Sequence, residues 1–168
     1  MSRRIMMVVA VCGMAALTGT AFAQQKSLKE QVLGAWNLVS IDYVRADGSR
    51  STTFGDHPNG IAFFDNTGHY IISVMRSDRA KYTVNDRTQG TADENRATAQ
   101  GTITYFGTYT VSEPNRTIDI LVVGSSFPNW NGANQKRIFT VSGDELKLTN
   151  PVASTGGGTT EVVFKRAK

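Results

Sequence analysis

At 168 residues the chain is long enough for one domain with a sizeable core, and 16 glycines against four prolines, with many Thr and Val, favour β structure. The formal net charge of +4 comes from basic residues that are scattered, not clustered, which argues against a nucleic-acid surface. A single cysteine, Cys12, leaves no room for a disulfide framework or a thiolate metal site.

The N-terminal segment reads as an export signal. Arg3 and Arg4 form a basic start, Ile5 to Leu17 is an apolar run, and Ala21-Phe22-Ala23 is a small-x-small cleavage site. The run is shorter than the ~20 residues that span a bilayer. Residues 1–23 are therefore expected to be removed as a signal peptide, leaving 24–168 as one domain in the periplasm or the medium. Arg3-Arg4 is open to two readings, an ordinary basic n-region or a twin-arginine signal. Cleavage takes Cys12 away and lowers the net charge to about +2.

Lys26 to Leu33 predicts a short helix, with Ser27 as cap and Glu30 in the capping-box position. A first strand opens at Trp36 and runs to about Ala46, where Asp47-Gly48 turns it. Arg50 to Gly55 is polar and suits an edge or loop, broken by His57-Pro58-Asn59-Gly60. Gly60 to Phe64 and His69 to Met75 predict a hairpin closed by Asp65-Asn66-Thr67-Gly68, with a positive φ at the glycine. In the long polar stretch from Arg76 to Gln100, Thr91-Ala-Asp-Glu94 is a capping box, and Gly101 suits a stop about nine residues on. That helix, poor in apolar residues, is either a weakly docked lid or a surface connection.

Gly101 to Ser112 is the strand on which the rest is organised. Ile103, Tyr105, Gly107, Tyr109 and Val111 share one face, and two phenols there supply both apolar area and points of recognition. Gly107 between them leaves space, or a bend. Thr117 to Gly124, Gln135 to Val141, Glu145 to Thr149 and Thr160 to Arg166 complete about eight strands joined mostly by short turns. Such a meander, closed antiparallel, makes an up-and-down barrel with room for one small ligand.

Gly34-Ala35-Trp36, the hairpin with Pro58, Gly60 and Gly68, Met75-Arg76-Ser77-Asp78-Arg79, Tyr105-Phe106-Gly107-Thr108-Tyr109, and Phe127-Pro128-Asn129-Trp130-Asn131-Gly132 followed by Gln135, Arg137 and Gly143-Asp144-Glu145-Leu146 together resemble the bacterial and fungal lipocalin-like domain family. The resemblance implies an all-β, eight-stranded, calycin-type barrel with a short N-terminal helix and a short lid helix. It further implies that Arg166, or failing that Lys165, packs over Trp36 at the closed end. Where the family often carries histidine before the Pro-Asn-Trp motif, Thr117 to Val123 has none, so imidazole chemistry is not carried over.

The chemistry-bearing residues are few. His57 and His69 stand apart from any converging ligand set, so neither a metal nor another cofactor is expected. Asp119 alternates with Ile118 and Ile120. It faces solvent if those face inward, and in the opposite register it is a buried acid. Arg137 shares a face with Phe139 and suits a ligand carboxylate, an internal salt bridge or an outward position. The favoured reading is an exported protein that binds a small, mostly apolar or amphipathic molecule. Phe63, Met75, Tyr105, Tyr109 and Phe139 would form the walls, Asn129 and Arg137 the polar anchors, and Trp130 would line the site or cap the barrel. The alternative is an isomerase, cyclase or dehydratase in the same cavity, with Tyr105 or Tyr109 donating a proton and Asp119 or Glu94 accepting one. A third reading, docking of another protein, rests on the polar lid and the Asn129 to Asn134 loop.

Overall fold

The computed structural model describes residues 26–153 and 157–168, so the expected signal peptide and part of the glycine-rich tract lie outside the described residues. In chain order the elements are α1 (Leu28–Val32), β1 (Gly34–Arg45), β2 (Arg50–Thr52), β3 (Asn59–Phe64), β4 (His69–Met75), α2 (Ala92–Gln100), β5 (Thr102–Ser112), β6 (Thr117–Ser125), a 3₁₀ turn (Pro128–Trp130), β7 (Asn134–Ser142), β8 (Glu145–Asn150) and β9 (Gly158–Arg166). Both predicted helices carry their capping boxes, Ser27 with Glu30 and Thr91 with Glu94.

Eight of the strands close into an antiparallel barrel, each pairing with the next and β9 returning to β1 from Trp36↔Arg166 to Arg45↔Gly158. The short β2 pairs only with the far half of β1, at Asp42 to Val44, beyond the Gly34 to Asn37 stretch that pairs with β3. The polar segment expected as an edge or loop is thus a three-residue flap on the barrel rim. Inward and outward residues alternate along the strands, as a closed sheet with one wet face requires.

Two features shape the interior. At Gly68, with φ +95°, the β3–β4 turn tightens, and Asp65 accepts the backbone N–H groups of Thr67 and His69 at 2.9 and 2.7 Å. Those bonds hold the Asp65 carboxyl below its ordinary range. In β5, Phe106 pairs with Gly124 and Gly107 with Val122, so Val123 bulges outward. A Cβ on Gly107 would lie 1.9 Å from the Leu121 carbonyl oxygen, so only glycine fits this approach.

The closed end is built on Trp36, which is fully buried and donates from Nε1 to the Val32 carbonyl at 2.7 Å. The Arg166 guanidinium lies 4.0 Å from the Trp36 ring centroid and donates to the Leu33 and Gln31 carbonyls at 2.9 and 2.8 Å. The last strand is thereby tied to the carbonyls that end α1, where a helix needs acceptors satisfied. The core residues Phe64, Phe139, Leu146 and Phe164 pack above this plug.

Candidate functional site

A cavity of about 580 Å³ occupies the opposite end of the barrel. Ile72 and Val74 from β4, Ile103 and Tyr105 from β5, Leu148 from β8 and Val162 from β9 form its walls, each on the inward phase of its strand. Phe54, Ala99 and Gln100 stand at the rim together with Phe127, Pro128 and Trp130. The final turn of α2 therefore borders the opening.

Local chemistry explains how the rim is held. The loop after β6 folds back because Val122 donates to the Ala133 carbonyl and Gly132 to the Val122 carbonyl, at 3.0 and 2.8 Å. This sets Trp130 edge-on to Tyr105 and Phe127, with centroids 5.2 and 5.9 Å apart. On the other side, Arg79 donates to the Arg76 carbonyl, Thr102 Oγ1 and Met75 Sδ, anchoring the start of the long connection. Glu94 accepts from both the backbone N–H and the hydroxyl of Thr83, fixing α2 to that connection.

An aromatic series runs through the interior. Tyr109 meets Phe64 at 5.2 Å, Phe64 meets Tyr70 at 6.2 Å, and Tyr70 meets Tyr105 at 5.9 Å, before Tyr105 reaches Trp130. Phe64 and Tyr70 are stacked and the other contacts are edge-to-face, both arrangements that add to the stability of plain area burial. The Tyr109 hydroxyl donates to the Asp65 carbonyl at 2.6 Å, and burial, then the Asp65 charge, push its phenol upward.

Arg137 reaches the cavity from β7 and is only 6% exposed. It donates to the Lys136 carbonyl at 3.1 Å, to Asn150 Oδ1 at 3.3 Å and to Gln135 Oε1. None of these acceptors is charged. Arg137 thus faces inward, and among the described residues no carboxylate pairs with it.

Of the eight expected pocket residues, Tyr105, Trp130 and Arg137 come together on the cavity. The other five do not line it. Phe63 is 45% exposed on the outer wall, where it pairs across strands with Ile71, itself opposite Phe106. Met75 is in phase with His69, Ile71 and Ser73, hence also outward, with its sulfur under Arg79. Tyr109 and Phe139 face inward but are packed in the solid part of the core. Asn129 lies exposed on the rim loop.

The two outward errors differ in cause. Gly60 to Phe64 is apolar on both faces, so its pattern fixes a strand but not which face is inner, and Phe64 was missed for the same cause. In His69 to Met75 the polar His69 and Ser73 mark the outer face, a signal that places Met75 outside and Ile72 and Val74 inside. Phe54 lies in the loop after β2 and Asn150 at the end of β8, where no periodic signal reaches.

The proton acceptors proposed for catalysis are elsewhere. Asp119 alternates outward from the buried Ile118 and Ile120 and lies 3.5 Å from Lys136 Nζ. Glu94 is on the outer side of the rim with Thr83 and Thr91. No carboxylate or imidazole is found among the described residues lining the cavity.

Comparison with known families gives one match, the model described as the lipocalin-like domain, over residues 33–167. No curated protein matches the chain.

Proposed function

Since the chain belongs to the lipocalin-like domain family, whose barrels generally take up small molecules, we propose that it is an exported binding protein for a small, mostly apolar molecule held in the barrel interior. The observation that carries this reading is the hollow of about 580 Å³ at one end of an otherwise packed barrel, within the size range of small-ligand pockets. Its walls are mostly aliphatic and aromatic, and its polar lining comprises Arg137, Asn150 and Tyr105 together with Thr53, Gln100, Thr102, Ser126 and Thr160.

Energetics bound the affinity. Burying about 300 Å² of apolar ligand surface at about 25 cal/mol per Å² yields at most about 7 kcal/mol before immobilisation is subtracted. That corresponds to micromolar binding at best for a ligand without a strong polar contact. Among the described residues lining the cavity there is no carboxylate or imidazole, which favours carriage over the isomerase, cyclase or dehydratase alternative, since that needs a proton acceptor in the same space.

Export is supported by the basic start, apolar run and Ala21-Phe22-Ala23 site. Among the described residues no helix is long and apolar enough to cross a membrane. Native mass spectrometry of the protein recovered from its own host tests both parts. The expected result is a chain beginning at Gln24 that carries a small molecule. A chain retaining its first 23 residues would overturn export, and a protein that never carries a molecule would count against carriage.

A further inference from the structure

We propose that the occupant of the cavity bears an anionic head, a carboxylate on an otherwise apolar body, and that Arg137 seats this head with the Tyr105 side chain on the same cavity wall. The inference rests on the container reading above and specifies the chemistry of what is contained.

The first ground is charge. Arg50, Arg76, Lys147 and Arg166 lie outside the cavity, each within 4.0 Å of a carboxylate. Arg137, the buried one, has no such neighbour among the described residues. A guanidinium stays ionised even in a poor solvent, so taking it out of water without a counter-charge is costly. A protein that binds an anion at this point recovers the cost on loading.

Geometry supplies the second ground. The three hydrogen bonds of Arg137 use Nη1 twice and Nη2 once, all toward neutral oxygens that orient the fork. Nε–H and one of the two Nη2 hydrogens have no acceptor among the described residues. A guanidinium with donors to spare can take the oxygens of a carboxylate.

The third ground is a phenol on the cavity wall with a second one packed behind it. Tyr70 is 3% exposed and its hydroxyl has no partner among the described residues, which is unusual for a buried polar atom. Its ring is 5.9 Å from that of Tyr105, whose side chain lines the cavity. Burial, then the neighbouring Tyr105, raise the Tyr70 phenol, while the Arg137 charge pulls it the other way. A phenol O–H on the same wall as a guanidinium offers a second donor to an anion and nothing to hold a second cation.

The test compares dodecanoate with dodecanol, equal in chain length and differing in the head, by calorimetric titration of the host-processed protein after removal of bound lipid. The acid should bind tighter than the alcohol by about 10- to 100-fold, the range for a charge-assisted contact. Arg137→Met should bring that ratio to about one, and Tyr105→Phe should lower it severalfold. Equal affinities in the unaltered protein would overturn the anionic head yet leave the container reading standing. An acid preference that survives Arg137→Met would overturn the assigned seat, and saturable binding by neither probe would overturn the container itself. Should Arg137→Met fail to fold by circular dichroism, the ratio in the unaltered protein and in Tyr105→Phe decides.

Discussion

Trp36 joins three parts of the chain, since its indole donates to the end of α1, its ring lies under Arg166 of β9, and its backbone pairs with both β3 and β9. Replacing Trp36 by Ala removes a fully buried ring and should cost about 3–5 kcal/mol in urea unfolding. Arg166→Met keeps much of the aliphatic cover but loses the cation–π contact and two carbonyl bonds, so a smaller loss of about 1–3 kcal/mol is expected. A Trp36→Ala protein as stable as the parent would refute the plug. Gly107 makes a second residue-scale prediction. The added methyl of Gly107→Ala would meet the Leu121 carbonyl oxygen at 1.9 Å, so the bulge must open at a cost of about 2–3 kcal/mol or more. The sequence made these two positions readable, through the Gly-x-Trp start and the glycine set between two phenols. It did not make Phe63 readable, because with Ile61 outside and Ala62 and Phe64 inside, apolarity says nothing about direction.

The rim helix α2 is held by polar bonds, with none of its residues buried. Glu94 accepts from Thr83 and Thr91, which lowers its carboxyl from 4.5 to about 2. A carboxyl lowered on folding stabilises the fold above its ordinary pKa, and that contribution is lost as pH falls toward the folded value. The amide resonances of Thr83 and Thr91 should therefore titrate with a midpoint near 2, and Glu94→Gln should remove the transition. A midpoint at the ordinary glutamate value would show that the bonds are not made in solution. The capping box made this helix legible to the residue, because its signal is local. Its place at the cavity rim was one of two readings left open, lid or surface connection, since the choice depends on Arg79 meeting Thr102 and Arg76 meeting Gly101 after the barrel has closed.

At the scale of the whole molecule, the barrel is solid at the Trp36 end and hollow at the α2 end, with a string of aromatic rings running between them. Strand number and order were legible from turn residues spaced along the chain. The hollow was not, because volume depends on how side chains from eight strands fill the lumen, and no single stretch encodes that sum. Phe139 and Tyr109 illustrate the point, being on the inner face as the pattern requires and yet consumed by packing. Leu148 is buried in its strand and borders the cavity, so a larger side chain there extends into open space. Titration of dodecanol into the parent protein and into Leu148→Trp tests the account most directly. One saturable site in the parent, weakened at least about tenfold by the tryptophan with no loss of melting temperature, is the predicted result. Undiminished binding by Leu148→Trp, or no saturable binding by the parent of either dodecanol or dodecanoate, would contradict it.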